Sequence, residues 1–491
     1  MSKKITRIIA IFMVLCLALC CAACGQKQPS NTVDKGRPQE PTSTPITDDT
    51  SSNTSSDISQ STPSETISTP TVTDEARQYY KPTSVTLSFY DTSASSYGFT
   101  WNSEFQPIEP VIQISEGEKF NKNNCKEYKA TVKTETVYMP SLTYIYICKV
   151  EIKLKQNTTY SYRAYDKGAQ IASGKATFKT GNLSASSFKF VHVSDSQVTG
   201  DSDDYSGEGT GEYFANTLKG IMQGTPDFMI HTGDIVEYSK YEGYWKNMLD
   251  FNAEYLMKLP LMAISGNHET TYRAGVNETF KHFNVKIPTQ ETKFGYYYSF
   301  NYGNAKFIML NTNNLINNKL EPAQYSWLEK ELKNNNKKWT IVSLHNPMYS
   351  VGKYGADSSK NYISLALRAQ LTKLFADCKV DLVLQGHDHA YSKTFPIKAD
   401  GTADTNPTYE TVDSVKYTVN PTGTIYSMHG PAGNQSRSPY SVDSSLYEIA
   451  AKSNTNSWAE ISIEDNRLTV HIKYFADGTV NTFGSYGILK K

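Results

Sequence analysis

The amino-acid sequence predicts a layered α/β domain, with two sheets flanked by helices, preceded by a small all-β sandwich. From residue 188 onward, apolar runs typical of strands alternate with stretches of helical periodicity. Between residues 81 and 182, short runs of period two are separated by turn residues, as in a β-sandwich. The C-terminal part returns to strand patterns, which we expect to complete the second sheet of the layered domain.

The charge balance of the chain argues against nucleic acid as a partner. The 491 residues contain 49 Lys and Arg and 49 Asp and Glu, so the formal net charge is zero. Proteins that bind nucleic acid use a basic surface to neutralise phosphates, and this composition offers no such excess. The length suffices for two or three domains acting on a small molecule, and the oligomeric state stays open.

Residues 1–24 have the pattern of an export signal. Basic residues at positions 3, 4 and 7 precede an apolar run, which ends with Ala22, Ala23 and Cys24. This ending resembles the lipobox of bacterial lipoproteins. We therefore expect lipid on Cys24, an anchor in the cell membrane, and a folded part facing the extracellular or cell-wall side. An ordinary cleaved signal and a single uncleaved transmembrane helix are the alternatives, although the run is slightly short for a membrane span.

Residues 25–80 are predicted to be a disordered linker. They consist mainly of Ser, Thr, Pro, Asp and Gln. Such segments bury too little apolar surface to offset the conformational entropy that is lost on folding. Behind a lipid anchor, this linker would hold the folded part away from the membrane.

The sandwich is assigned to residues 81–182 and the layered domain to residues 186–491. The layered domain begins with an expected βαβαβ unit, typical of α/β folds. Its expected strands are 188–193, 228–232, 261–265, 296–300, 306–311, 339–344, 382–384, 423–428, 458–463 and 468–474. Its expected helices are 212–223, 244–257, 324–334 and 365–378. The polar residues of the sandwich form no catalytic pattern.

Five short blocks rich in Asp, Asn and His follow expected strands in a fixed order. Because α/β sheets usually build their binding sites at the carboxyl ends of strands, we expect the blocks to form one site. Each block alone is a weak indication of a functional site, but five blocks in this order after expected strands are a specific one. The blocks are Asp195-Ser196-Gln197, Gly233-Asp234-Ile235-Val236-Glu237, Gly266-Asn267-His268-Glu269, His345 and Gly386-His387-Asp388-His389.

The residue types in these blocks predict a pair of metal ions. Two metal ions bridged by one carboxylate can activate a hydroxide, neutralise phosphate oxygens and assist the leaving group in phosphate-ester hydrolysis. Asp234 is the bridging candidate. The first site would be completed by Asp195, Gln197 and His389, and the second by Asn267, His345 and His387. Oxygen and nitrogen donors without Cys suit Fe, Zn or Mn, and the identity of the metals stays open.

His268 is the predicted catalytic residue. It adjoins Asn267, so its imidazole would face a bound phosphoryl group and either stabilise the transition state or protonate the leaving group. We expect Glu269 and Asp388 to orient imidazoles from behind the ligands, and whether Glu237 binds metal is left open.

These motifs resemble those of the calcineurin-like metallophosphoesterase superfamily, and in particular its purple acid phosphatase-like branch. The resemblance runs from residue 188 to the C-terminus. Residues 157–164 and 176–180 resemble the end of a fibronectin type III-like domain, which also fits that branch. The resemblance implies a two-metal site formed by Asp195, Asp234, Asn267, His345, His387 and His389, with His268 near the substrate.

Three departures from the purple acid phosphatase pattern concern the metals and the substrate. Glu237 stands where that branch has a Tyr that binds ferric iron, so we expect no purple colour. Gln197 replaces a His, which leaves the first metal open. Plant-type members have a His pair shortly after the ligand that matches His345, whereas this chain has Lys353 and Tyr354. Either of these two contacts phosphate, or the substrate preference differs.

The first functional hypothesis is an acid phosphatase-like phosphomonoesterase that releases phosphate from small external esters by attack of metal-bound hydroxide. His429, in the loop-like run 428–433, is a further candidate for substrate contact. A phosphodiesterase or a nucleotidase with the same site is the alternative among enzymes. A noncatalytic cell-surface binding module with a vestigial metal site is the alternative outside them, and a lost ligand would favour it.

Overall fold

A computed structural model of the chain describes residues 72–139, 142–199, 211–270, 278–288, 296–313, 315–355, 362–440, 443 and 445–491. The predicted export signal, the lipidation site at Cys24 and most of the predicted linker lie outside these ranges. Within them, no helix is both long enough and apolar enough to cross a membrane.

The last residues of the predicted linker are folded. Helix α1 (Asp74–Arg77) is capped by the Thr73 hydroxyl, and a 3-10 turn (Gln78–Tyr80) follows it. Tyr80 is buried, and its ring centroid lies 5.4 Å from that of Phe105. The prediction of a disordered linker up to residue 80 is therefore wrong at its end, because this short segment has an aromatic side chain that packs on the following domain.

Two antiparallel sheets form the N-terminal sandwich, as predicted. The strands of the first sheet are β1 (Thr83–Phe89), β2 (Ser96–Ser103), β5 (Thr131–Tyr138) and β6 (Leu142–Lys153), in the order β1-β2-β6-β5. The strands of the second sheet are β3 (Pro110–Glu116), β4 (Lys126–Lys129), β7 (Thr159–Asp166), β8 (Ile171–Ala172) and β9 (Ala176–Lys179), in the order β4-β3-β7-β8 with β9 also beside β7. Strand β5 therefore lies at a sheet edge.

Two larger sheets form the C-terminal domain. The first contains β10 (Ser187–Val193), β11 (Phe228–His231), β12 (Leu261–Ala263), β18 (Tyr409–Val412), β19 (Val415–Val419), β22 (Ser457–Glu464), β23 (Arg467–Ala476) and β24 (Thr479–Leu489), in the order β12-β11-β10-β22-β23-β24-β19-β18. The second contains β13 (Tyr298–Tyr302), β14 (Ala305–Met309), β15 (Trp339–Leu344), β16 (Leu382–Gln385), β17 (Tyr391–Thr394), β20 (Ile425–His429) and β21 (Tyr447–Ala451), in the order β13-β14-β15-β16-β20-β17-β21.

The helices lie on the outer faces of these two sheets. They are α2 (Gly211–Gln223), α3 (Glu242–Leu249), α4 (Ala253–Leu256), α5 (Asn267–Thr270), α6 (Glu278–Lys281), α7 (Pro322–Lys333) and α8 (Tyr362–Asp377). Val191 of β10 packs with α2 and α3, whereas Val342 of β15 packs with α7 and α8. The neighbouring Phe190 and Ile341 point the other way, into a core between the sheets. This arrangement of layers confirms the predicted fold class.

The predicted helix 244–257 is divided into α3 and α4. The carboxylate of Asp250 accepts the backbone N–H of Ser84, which belongs to the sandwich, and the side-chain amide of Asn252 donates to the carbonyl of Met248 at 2.9 Å. Asp250 still has helical dihedral angles, whereas Asn252 departs from them with φ −99° and ψ 12°, and the helix is interrupted there. Apolar residues continue at helical spacing across the break, so the sequence pattern does not predict the break.

The sandwich and the C-terminal domain share one hydrophobic core. Phe89 of β1 is buried, and its ring centroid lies 5.4 to 5.6 Å from the rings of Phe228, Phe300 and Tyr302 in the C-terminal domain. The Tyr162 hydroxyl of the sandwich donates to the carbonyl of Met257 at 2.8 Å. Since each domain buries apolar surface of the other, we expect them to unfold together.

Replacing Phe89 with Ala should reduce the free energy of unfolding by about 3–5 kcal/mol, because it removes a buried ring from this shared core. Urea denaturation followed by fluorescence should show a single transition at lower denaturant concentration. The exposed Phe251, replaced with Ala, serves as the control and should change stability by no more than about 0.5 kcal/mol. Two separate transitions in the parent protein would contradict the shared core.

A carboxyl group is buried between the two domains. Oε1 of Glu242 accepts the side-chain amide of Asn102 at 3.0 Å, and Oε2 lies 3.5 Å from Nε2 of His282. Burial raises the pKa of Glu242 from an ordinary value of 4.5 to about 8, although Lys281 acts against this. The folded protein therefore keeps this proton over a pH range in which the unfolded chain releases it.

This raised pKa predicts a pH-dependent stability with a definite sign. The proton on Glu242 contributes to the free energy of unfolding. This contribution is fully present below about pH 4.5 and is lost as the pH rises to about 8. The loss amounts to at most about 1.4 kcal/mol per pH unit. Glu242→Gln stays neutral, so its melting temperature should fall less between pH 5 and pH 8 than that of the parent protein. Glu254→Gln, at an exposed position, should follow the parent.

Candidate metal centre

The predicted metal ligands all lie just beyond the carboxyl ends of five strands. Strands β10, β11 and β12 are parallel neighbours in one sheet, and β15 and β16 are parallel neighbours in the other. The ligands are Asp195 and Gln197 after β10, Asp234 after β11, Asn267 after β12, His345 after β15, and His387 and His389 after β16. The loops of both sheets meet, because Nε2 of His345 lies 3.2 Å from Oδ2 of Asp234.

Asp234, His345 and His387 form the centre of the site. One ligand atom from each of them lies within 4.8 Å of the other two, which is close enough to hold one metal ion. Nε2 of His345 also lies 3.0 Å from Oδ1 of Asn267. These four residues include all those predicted for the second metal site, and the structure brings them together.

The residues predicted for the first metal site converge beside this group. Nε2 of His389 lies 3.4 Å from Oδ1 of Asp195. The side-chain oxygen of Gln197 is buried and has no hydrogen-bond partner among the described residues. A buried oxygen without a partner is unfavourable unless a ligand satisfies it, so this atom fits a metal ligand. The donor set therefore suits two hard or borderline cations.

Two histidines are held in the tautomer that metal binding needs. Nδ1 of His345 lies 2.8 Å from the carbonyl of Thr232, and Nδ1 of His389 lies 2.6 Å from the carbonyl of Gln435. A carbonyl oxygen only accepts hydrogen bonds, so Nδ1 carries the hydrogen in both rings. Each Nε2 then presents its lone pair to the centre.

The charges in the site favour a bound cation. Burial by itself raises the pKa of Asp234, but His345 and His268 outweigh burial and hold this pKa below its usual range. Burial lowers the pKa of His345, but Asp234 outweighs burial and raises this pKa to about 9. An ionised carboxylate inside a buried site attracts positive charge, and without metal a proton on His345 supplies it.

The backbone is strained at most of these ligands. Asp195, Gln197, Asp234, His387 and His389 have φ between 41° and 79°, in the left-handed region that non-glycine residues rarely adopt. Such conformations cluster at functional sites, where the surrounding structure imposes them. Glycines allow the ligand loops to approach one another closely. A Cβ on Gly386 would lie 2.1 Å from Oγ of Ser194, and a Cβ on Gly266 would lie 2.1 Å from Oδ1 of Asp234.

Two family models match the chain, one for each folded domain. Residues 82–180 match the purple acid phosphatase N-terminal domain, and residues 188–391 match the calcineurin-like phosphoesterase. The second match contains every predicted metal ligand. Residues 188–391 are therefore a calcineurin-like phosphoesterase domain, the kind of domain that the sequence motifs predict.

Curated relatives and a solved structure are similar to this chain. Purple acid phosphatase 23 of Arabidopsis thaliana is 27% identical over 57% of this chain and 61% of its own length. Human acid phosphatase type 7 is 26% identical over 45% of this chain and 51% of its own length. The chain thus spans less than two thirds of these relatives. The structure of purple acid phosphatase PPD1 from yellow lupin seeds has a TM-score of 0.65 at 19% identity, covering 84% of this chain and 75% of that one, which shows a shared fold.

Glu269 connects two ligand loops of the metallophosphoesterase domain through their backbones. Its buried carboxylate accepts N–H groups of Asp234, Ile235, Val236 and Gly266 at 2.7 to 3.2 Å. Asp388 similarly accepts the N–H groups of Tyr354 and Gly355, each at 3.1 Å. The prediction that Glu269 and Asp388 orient imidazoles is therefore wrong, because both carboxylates bind main chain instead.

His268 and Glu237 interact at the edge of the centre. Nδ1 of His268 lies 2.7 Å from the carbonyl oxygen of Glu237 and 3.5 Å from its Oε1. Nδ1 therefore carries a hydrogen, and Nε2 of His268 lies 3.8 Å from Oδ2 of Asp234. Burial lowers the pKa of His268, but Asp234 and Glu237 outweigh it and raise this pKa above its usual value. The side chain of Glu237 thus supports His268 at the nitrogen remote from the metal ligands.

Tyr354 lies beside the predicted ligand His387, and a contact of Tyr354 or Lys353 with phosphate stays a prediction. The Tyr354 ring centroid lies 4.3 Å from that of His387. Together with Asn267 and His387, it lines a cavity of about 250 Å³ that also includes Asn313 and Asn346. Lys353 is exposed, and its Nζ lies 6.0 Å from the Tyr354 ring. The sequence reasoning missed the two asparagines, although Asn346 directly follows the ligand His345.

His429 lies away from the cavity, which contradicts its predicted contact with substrate. It is the last residue of β20 and is buried. Its Nδ1 lies 2.9 Å from Nδ1 of His192, and its Nε2 lies 2.9 Å from Oγ of Ser427. The prediction failed because the strand extends further than expected and carries His429 into the core.

Gly386→Ala should weaken metal binding by at least about tenfold, because the added methyl group would displace the loop that carries His387 and His389. Isothermal titration with Mn²⁺ or Zn²⁺ measures this effect. Gly243→Ala is the matched control: its Cβ would meet no atom within 4 Å, and Ala favours the helix in which it lies. Unchanged metal affinity in Gly386→Ala would contradict the close approach described for this loop.

Proposed function

We propose that the chain is a metal-dependent phosphomonoesterase of the acid phosphatase type, with a dinuclear metal centre. The observation that carries this proposal is the convergence of Asp234, His345 and His387 within 4.8 Å, in a calcineurin-like phosphoesterase domain. The donors that fit one ion are Asn267 with these three residues, and those that fit the other are Asp195, Gln197 and His389, with Asp234 bridging. The names of the curated relatives support a phosphatase.

The residues of the site have separate tasks in this reaction. Bound metal ions supply Lewis acidity and a nucleophilic water. Asp234 and His345 hold the cations, and their fixed backbone keeps the donors in place before substrate arrives. Nε2 of His268 faces the same region, 3.1 Å from the side-chain nitrogen of Gln197. When the imidazole is protonated, Nε2 can donate a proton to the leaving-group oxygen. The carbonyl of Glu237 holds Nδ1–H of His268, so the imidazole keeps the orientation that this transfer needs.

The experiment that tests the proposal compares p-nitrophenyl phosphate with bis-p-nitrophenyl phosphate after loading with Mn, Zn or Fe. The parent protein should bind two metal ions and prefer the monoester. Asp234→Asn should lose at least one ion by elemental analysis and about a thousandfold in turnover, because it removes the bridging charge. Asp413→Asn, exposed and remote, is the control. Diester preference would favour a phosphodiesterase, and metal loading without turnover of either ester would favour a binding module.

The metal centre should lack the colour of a tyrosinate bound to ferric iron. The chain has Glu237 at the corresponding position, and its carboxylate lies beside Nδ1 of His268. Iron-loaded protein should therefore show no visible charge-transfer band between phenolate and iron. Such a band in the absorption spectrum would show that another tyrosine binds the metal.

We further propose that the enzyme is an exported lipoprotein held at the outer face of the cell membrane through Cys24. The support is the basic start, the apolar run and the Ala22-Ala23-Cys24 ending. Metabolic labelling with a fatty acid should label the full chain but not Cys24→Ser, which should appear in the medium. Labelling of both proteins would show that the lipid is attached elsewhere, and labelling of neither would show that it is absent.

We also propose that the N-terminal sandwich, residues 81–182, is of the fibronectin type III kind. Its two antiparallel sheets support this comparison. It contributes no predicted metal ligand, and Phe89 joins its core to that of residues 186–491. The sandwich therefore supports the larger domain through this shared core and not by binding metal.

A further inference from the structure

A chain of hydrogen bonds joins the two large sheets close to the metal centre. Nε2 of His192, in β10, lies 2.9 Å from Oγ1 of Thr232, and its Nδ1 lies 2.9 Å from Nδ1 of His429, at the end of β20. Nε2 of His429 lies 2.9 Å from Oγ of Ser427 and 3.2 Å from Oη of Tyr486. We call Thr232, His192, His429 and Ser427 the interlayer link. None of these four residues is a predicted metal ligand.

The hydrogen bonds of the interlayer link run in one direction. The Ser427 hydroxyl donates to the carbonyl of Ser392 at 3.1 Å, so its oxygen accepts the hydrogen on Nε2 of His429. Burial lowers the pKa of both histidines, that of His429 to about 3, so both rings are neutral and each carries one hydrogen. Nδ1 of His429 therefore accepts Nδ1–H of His192. Nε2 of His192 in turn accepts the hydroxyl of Thr232.

The Thr232 end of the interlayer link reaches a predicted metal ligand. The carbonyl of Thr232 accepts Nδ1–H of His345 at 2.8 Å, and Nε2 of His345 lies 3.2 Å from Oδ2 of Asp234. Because His192 holds the side chain of Thr232, the carbonyl of the same residue has less freedom to turn. The link therefore bears on the direction in which the lone pair of His345 points.

Strand register places His345 and His429 at one level of the second sheet. Leu344 of β15 pairs with Gln385 of β16, which pairs with Met428 of β20. The next residues along the chain after β15 and within β20 are His345 and His429, which lie two strands apart. Both reach the first sheet, one through its own Nδ1–H and the other through the link. Hydrogen bonds therefore brace the gap between the sheets at two points.

Packing alone does not require a pair of histidines at this place. Their neighbours along the strands are buried apolar residues, Val191, Val193 and Met428. Two apolar side chains could fill the same space, and replacing both partners of a buried hydrogen bond in this way can be close to neutral for stability. The histidines add direction, because a hydrogen bond holds Thr232 at one angle and an apolar contact does not.

We propose that His192 and His429 are positioning residues of the metal centre, which hold the Thr232 carbonyl on Nδ1–H of His345 and thereby direct its Nε2 toward the second metal site. This inference rests on the dinuclear centre of the proposed function, and it gives a task to two residues that bind no metal themselves. Because His345 belongs to the second site only, the first site should be affected less.

Isothermal titration of the full chain with Mn²⁺ or Zn²⁺ tests the inference. His429→Leu breaks the link and should weaken one of the two ions about tenfold, at the lower end of the loss that follows removal of a partner of a metal-binding imidazole, with the other ion changed less than about threefold. His429→Asn places an oxygen near the position of Nδ1. It keeps the acceptor for His192 and should retain most of the affinity.

Tyr391→Phe is the matched control and should bind both ions as the parent does. Tyr391 is the partner of His429 on the neighbouring strand β17. Its buried hydroxyl has no hydrogen-bond partner among the described residues, so its removal leaves the link intact.

A double variant separates positioning from loss of folding. His192→Leu should match His429→Leu, and the two together should lose no more affinity than either, because a chain broken at one point transmits nothing further. Excess metal should restore two bound ions in each variant by elemental analysis, which it cannot do for a misfolded chain.

Several results would overturn the inference. They are additive losses in the double variant, equal loss of both ions, unchanged affinity in His429→Leu, and a loss in His429→Asn as large as that in His429→Leu. Two bound ions in the parent without turnover of any ester would overturn the proposed phosphatase alone. Failure of the parent to bind metal would overturn both.

Discussion

The geometry of the metal centre depends on one buried carboxylate. Glu269 accepts four backbone N–H groups, three from the loop that carries Asp234 and one from Gly266, which precedes Asn267. These loops follow the parallel strands β11 and β12. By joining them through the main chain, Glu269 fixes the separation of two ligands independently of their own side chains. Asp234 meets His345 from the second sheet, with Nε2 of His345 3.2 Å from its Oδ2.

Much of the fold and of the site follows from the sequence, because both depend on local patterns. Strand and helix periodicity reveals the layers, and ligand residue types after strands reveal the metal centre. Contacts that form only in the folded protein leave no such pattern. The contact between Ser84 and Asp250, beside the break between α3 and α4, joins residues that are remote in sequence. The sequence also could not predict that Glu269 binds backbone N–H groups, because every residue except proline has such a group. The position of His429 was predicted wrongly because strand β20 ends one residue later than expected.

The N-terminal sandwich is packed into the larger domain. Its Phe89 packs in the core of the larger domain, and its Asn102 donates to the buried Glu242. Two domains that match separate family models therefore share one core, and we expect a change in that core to affect both of them.

The left-handed backbone at five predicted ligands has a consequence for how metal ions would enter the site. Their conformation is held by glycines, buried carboxylates and strand ends, all of which belong to the chain itself. Filling the site then requires little reorganisation of the chain, and ions of similar size can replace one another in it. We therefore expect the metal content of this site to follow the supply of ions in its surroundings as much as the chemistry of its donors.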